Sequence, residues 1–157
     1  METTLFEKLI GSWSLVELIE VPVNGGEITH PMSQQAQGLI IYHPDGYMSA
    51  QLMNPNRKPF RNQHWTEGTP EEYTQEGSTY LAYSGPFHAD EERLLVSHTM
   101  QVSLFPNWTG QTQKRIVVFK DGRLHLESHE PFIANSRLVT HKLTWKKIEN
   151  AKTPQES

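Results

Sequence analysis

The sequence predicts an all-β protein: an eight-stranded antiparallel up-and-down β-barrel with one short helix at its N-terminus and another between the third and fourth strands. Three observations lead there. Apolar and polar residues alternate with period two from Gly11 onward, compact turn signals separate the alternating runs, and almost nothing shows helical periodicity. Sequential strands with tight turns favour a meander, and closing it removes the exposed edges that invite aggregation. Eight strands leave an interior wide enough for side chains or one small ligand.

Thr3 to Ile10 reads as one or two helical turns, with Thr3 or Thr4 as N-cap, Glu7 in capping-box position after Thr4, and Gly11 as the stop. Leu5, Phe6, Leu9 and Ile10 supply the apolar side by which so short a helix must dock. The first strand runs from Ser12 to Val21, and Asn24-Gly25-Gly26 turns the chain. The second, Gly38 to His43, meets the third, Tyr47 to Met53, through Pro44-Asp45-Gly46. In the long connection Asn54 to Ser78, Thr69-Pro70-Glu71-Glu72 gives a helix its cap, its N1 proline and its capping-box glutamate. The fourth strand spans Tyr80 to His88, the fifth Arg93 to Leu104 and the sixth Gln113 to Lys120. Asp121-Gly122, the strongest hairpin signal, leads to the seventh, Arg123 to Ser128. A short connection, Glu130 to Ser136, precedes the eighth, Arg137 to Ile148. Residues 1–148 are thus expected to form one domain and Glu149 to Ser157 a fraying tail.

Composition narrows the function classes. The chain has 157 residues and no cysteine, which suits one domain and excludes disulfides, thiolate metal sites and cysteine nucleophiles. With Lys+Arg 14 against Asp+Glu 18 and no basic stripe, nucleic acid is not an expected partner. No apolar run approaches the roughly 20 residues of a membrane span. Met1 to Gly11 lacks the positive flank and long apolar core of a secretory signal, so the cytosol is the expected compartment. No cofactor or metal is expected. His125 and His129 fall on a strand and its following turn without a third ligand, and no phosphate loop, nucleotide fingerprint or nucleophile elbow occurs. A homodimer is an open expectation, since the sequence does not reveal the oligomeric state.

Strict alternation assigns the interior. It places Trp13, Leu15, Glu17 and Ile19 together on the first strand, and Met48, Ala50 and Leu52 on the third. Tyr83 follows the Leu81, Tyr83, Phe87 register of the fourth. The fifth gives Leu94, Val96, His98, Met100, Val102 and Leu104, the sixth Gln113, Arg115, Val117 and Phe119, and the last Val139, His141, Leu143 and Trp145. The predicted cavity is therefore apolar but seeded with Glu17, His98, Arg115 and His141. Buried charges cost several kcal/mol unless paired, so this set needs partners or a ligand.

Glu17 is the expected general acid or base, since desolvation raises a carboxyl toward the useful range; an ion pair with Arg115 or an outward face is the alternative. His98 and His141 suit proton shuttling or a hydrogen bond to a substrate carbonyl, against the plainer reading of satisfied core histidines. Arg115 offers its fork to a carboxylate or enolate oxygen, or packs over Trp13. The ligand surface is expected from Trp13, Met48, Leu52, Tyr83, Met100, Trp108, Val117, Phe119 and Trp145.

Gly11-Ser12-Trp13 resembles the lipocalin Gly-x-Trp signature, whose tryptophan closes the base of the barrel. More specific are Tyr42-His43-Pro44-Asp45-Gly46-Tyr47-Met48-Ser49-Ala50-Gln51-Leu52, Gly68-Thr69-Pro70-Glu71-Glu72-Tyr73, Tyr80-Leu81-Ala82-Tyr83-Ser84-Gly85 and Val102-Ser103-Leu104-Phe105-Pro106-Asn107-Trp108. With Leu143-Thr144-Trp145 they resemble the small lipocalin-like domain family of bacteria and fungi, over nearly the whole chain. The resemblance implies a calycin-type barrel with a central cavity. It leaves the chemistry open, because barrels of this shape include cyclases, isomerases, dehydratases and simple binders. The expected function is a cofactor-independent isomerase, cyclase or dehydratase of natural-product biosynthesis, acting on an apolar or polycyclic substrate inside the barrel. The alternative is a non-catalytic carrier. Either way the partner is a small apolar or amphipathic organic molecule.

Overall fold

Thr4 opens the first element: its hydroxyl accepts from the Glu7 backbone N–H, and the Glu7 carboxylate accepts from the Thr4 N–H, completing the capping box of α1 (Leu5–Leu9). The computed structural model describes residues 2–150, so most of the tail expected from Glu149 lies outside the described residues. Leu5 and Leu9 are buried, Phe6 stacks on Phe87 with ring centroids 5.4 Å apart, and the Trp13 indole N–H donates to the Leu9 carbonyl at 2.9 Å. The helix thereby shuts one end of a closed antiparallel barrel.

The main strands of the barrel are β1 (Gly11–Pro22), β2 (Gln37–Tyr42), β3 (Tyr47–Met53), β4 (Tyr80–Asp90), β5 (Leu95–Thr99), β7 (Thr112–Lys120), β8 (Arg123–Ser128) and β10 (Arg137–Ile148). They pair in that order, and β1 pairs with β10 to close the ring. Two short strands are added, β6 (Val102–Ser103) beside β4 and β9 (Phe132–Ala134) beside β10. The second helix, α2 (Pro70–Ser78), has the capping box of Thr69 and Glu72 and buries none of its residues. No helix among the described residues is long and apolar enough to cross a membrane.

Three expectations about the strands need correction. The strand expected over Arg93 to Leu104 is broken: only Val96, His98 and Met100 keep the inner face, while Val102 is 64% and Leu104 43% exposed and Leu94 turns with φ 53°. The break lies where the chain crosses Gly85, at which a Cβ would overlap the Thr99 carbonyl oxygen. The Gln101 N–H instead donates to the Ser84 carbonyl at 2.9 Å. Second, the connection Glu130 to Ser136 contains β9, which Pro131 had concealed. Third, β1 carries a bulge: Leu15 faces Trp145 and Glu17 faces Thr144, so Val16 is an extra residue that reverses the alternation.

Register arranges one wall of the interior in layers. Leu15, Trp145, Leu124 and Phe119 form a row across β1, β10, β8 and β7 near the shut end, and Leu18, Leu143, Leu126 and Val117 form the next. All of the second row is buried. Each such side chain contributes about 1.5–3 kcal/mol by leaving water. Ile40, Ala50, Tyr83, Met48 and Tyr42 line the opposite wall.

Candidate functional site

One layer further from α1 the same four strands change character. Glu20 stands opposite His141, His141 beside Ser128, and Ser128 opposite Arg115. A carboxylate, an imidazole, a hydroxyl and a guanidinium thus form a polar row directly above an apolar one. Strand spacing sets these neighbours about 4.8 Å apart at the backbone.

Burial and hydrogen bonding fix the row. Glu20 is 4% exposed. One carboxylate oxygen meets His141 Nε2 at 3.0 Å, and the other meets the Arg137 guanidinium at 3.8 Å and accepts from the Thr29 hydroxyl at 3.4 Å. A carboxylate can only accept, so Nε2 carries the imidazole proton and Nδ1 holds the lone pair. Burial lowers the proton affinity of His141, Glu20 offsets part of that, and the Arg115 charge lowers it further. Ser128 Oγ accepts from the His141 backbone N–H at 3.0 Å. Arg115 donates to Gln113 Oε1 at 2.8 Å and to the Lys114 carbonyl at 3.3 Å.

Above this row opens a pocket of about 510 Å³, at the end of the barrel away from α1. Gln113, Arg115, Ser128 and His141 supply its polar wall, and Trp108 and Phe132 its aromatic one. Phe132 on β9 sets its edge against the His141 ring, 4.7 Å between centroids at 88°. Trp108, in a 3₁₀ turn over Pro106–Trp108, stands T-shaped on Tyr83 at 6.0 Å and on Phe105 at 5.5 Å. The volume falls in the range of sites for small organic molecules. Polar and aromatic side chains thus share its lining, with Phe132 directly beside His141.

Of the residues singled out by sequence, His141, Arg115 and Trp108 meet at this pocket. Glu17 does not: the bulge turns it outward, where its side chain is 52% exposed and 3.8 Å from His30. The inward carboxylate is Glu20. The sequence held a sign of it, since Leu15 and Leu18 are three apart, the spacing that one inserted residue imposes on a strand. His98 lies deeper, 1% exposed, with Nε2 sharing a hydrogen with the Tyr42 hydroxyl at 2.7 Å. Burial pushes its pKa down to about 3, with the Arg115 charge acting the same way, so the ring is neutral. Burial also raises the Tyr42 and Tyr83 hydroxyls above their ordinary range. Met48, Leu52, Tyr83, Met100, Val117 and Trp145 are buried core. Trp13 and Phe119 lie at the opposite end in a shallow cleft, and the cation over Trp13 is Lys147 at 4.6 Å, not Arg115. Phe119, expected inside, is 39% exposed because it sits at the rim beside the Asp121-Gly122 turn.

A closed meander barrel with Gly11-Ser12-Trp13 at its shut end agrees with the sequence comparison, in which the lipocalin-like domain family matches residues 10–148. The chain belongs to the lipocalin-like domain family. A relative of this lipocalin-like protein in Aspergillus oryzae, 35% identical over 107 residues, bears the name 4'-hydroxy-3'-methoxypropiophenone carrier protein. The aligned region covers 64% of the present chain and 96% of that relative. No solved structure matches the chain.

Proposed function

We propose that this lipocalin-like protein binds and carries a small, planar, oxygenated aromatic compound of the aryl-ketone class in the pocket at the open end of its barrel. The observation that carries the reading is that His141, Ser128 and Arg115, with Glu20 buried behind His141, share one pocket of about 510 Å³ with the aromatic side chains of Trp108 and Phe132. The relative's name supports the ligand class. Donors would hold the carbonyl or phenolic oxygens while the rings stack.

Titration with 4'-hydroxy-3'-methoxypropiophenone, followed by tryptophan fluorescence and calorimetry, tests it. Saturable one-to-one binding is expected, with the compound recovered unaltered and with affinity falling about 10-fold, or about 1.4 kcal/mol, in Phe132→Ala and in Arg115→Leu. Absence of saturable binding by this and simpler aryl ketones overturns the reading. A second reading, a cofactor-independent isomerase, cyclase or dehydratase of natural-product biosynthesis, is favoured by the Glu20–His141 pair beside the pocket. Chemical conversion of the bound compound would select it.

A further inference from the structure

We propose that the Glu20–His141 pair makes this barrel an enolising base: His141 removes a proton from the carbon next to the carbonyl of a bound ketone, and Arg115 holds the oxygen of the resulting enolate. The inference rests on the pocket being a site for carbonyl compounds.

The geometry places each part. Glu20 is sealed behind the wall, whereas His141 is on the pocket surface with its side chain 24% exposed. The carboxylate accepts a hydrogen bond from Nε2–H at 3.0 Å and so orients the ring and leaves Nδ1 as the basic nitrogen. Glu20 is therefore a positioning residue and His141 the catalytic one. Arg115 faces the same pocket from β7, two strands away, about 10 Å along the sheet and within reach of the far side of a bound ring. Burial lowers the proton affinity of His141 and so favours the neutral ring, the state a base requires.

The step balances within the ketone and the protein. His141 Nδ1 takes the proton, the C–H electron pair becomes the carbon–carbon double bond, and the carbonyl π pair moves onto the oxygen facing Arg115. Return of a proton from the imidazolium restores the ketone, with no change of oxidation state. In heavy water the imidazolium exchanges its proton with solvent, so each cycle can leave deuterium on carbon.

The experiment follows the methylene signal of 4'-hydroxy-3'-methoxypropiophenone by proton NMR in heavy water with the full chain, beside fluorescence binding. Exchange about 100-fold or more above the buffer rate is expected. It should fall to the buffer rate in His141→Gln and persist in Glu17→Gln, which lies outside the barrel. Charged or titrating groups around His141 are Glu20, Arg137, Arg115, Lys114, His129 and Glu130, so the His141 ring itself is titrated by NMR. The exchange rate should fall in acid with the midpoint of that ring. Glu20→Gln should slow exchange and move the midpoint lower, a shift that a merely structural role would not give. Arg115→Lys, which keeps the charge and the fold but loses the fork, should slow exchange about 10-fold with binding retained. Saturable binding with exchange at the buffer rate, or exchange undiminished in His141→Gln, overturns the enolising role and leaves the carrier standing. No binding and no exchange overturns both.

Discussion

His98 makes the barrel sensitive to acid. The imidazole of the unfolded chain protonates near 6.5, but the buried ring does so only near 3. As pH falls below 6.5, the unfolded state gains a proton that the folded state refuses. The stability is therefore full above that pH and declines toward pH 3, by about 1.4 kcal/mol per unit. Urea denaturation at pH 7 and pH 5 is expected to differ by about 2 kcal/mol from this residue. His98→Leu should flatten the dependence even while it costs stability by stranding the Tyr42 hydroxyl. His141, also lowered by burial, acts in the same direction below the ordinary histidine value. The two glutamates of β1 should separate as sharply. Glu17→Ala, at an exposed side chain, is expected within about 0.5 kcal/mol of the parent, whereas Glu20→Ala should cost about 2 kcal/mol by removing the buried acceptor of His141 and Thr29. Equal denaturation midpoints for the two variants would count against the bulged register.

At the scale of elements, the crossing of β4 and the break after β5 depend on Gly85. A methyl there would overlap the Thr99 carbonyl oxygen, a backbone atom that cannot move aside as a flexible side chain would. Gly85→Ala is expected to cost about 3 kcal/mol or more, read from thermal or urea unfolding. Strands whose alternation is unbroken were legible from sequence. Tyr47 to Met53, Arg123 to Ser128 and Arg137 to Ile148 have the predicted ends, and His141 and Arg115 face inward as their strands required. What was not legible arises from backbone irregularity. An extra Val16 moved the inner carboxylate from position 17 to position 20, because period-two reasoning carries one offset through the rest of a strand. The broken fifth strand sent Val102 and Leu104 outward for a reason residing on another strand, in Gly85. Likewise Phe132, which borders the pocket, sits in a connection whose proline reads as a loop. The polar row itself is a matter of register between four strands, which no single strand's pattern contains.

Across the whole molecule, β1 is joined to both β2 and β10, so each main strand has a paired neighbour on both sides. The barrel is expected to unfold in one cooperative transition, with tryptophan fluorescence and far-ultraviolet circular dichroism giving coincident urea curves. Two separated transitions would argue against mutual dependence of the strands. Glu20 and His141 lie on the strands that close the ring, one near each end of the chain. Their bond is therefore a clasp as well as part of the pocket: the seam must be shut for the imidazole to be aimed, and whatever grips the imidazole holds the seam shut. A ligand present at 100 times its dissociation constant would add about 2.7 kcal/mol to that closure. Amide hydrogens of β1 and β10 should record it as slower exchange, far beyond the few residues that the ligand touches.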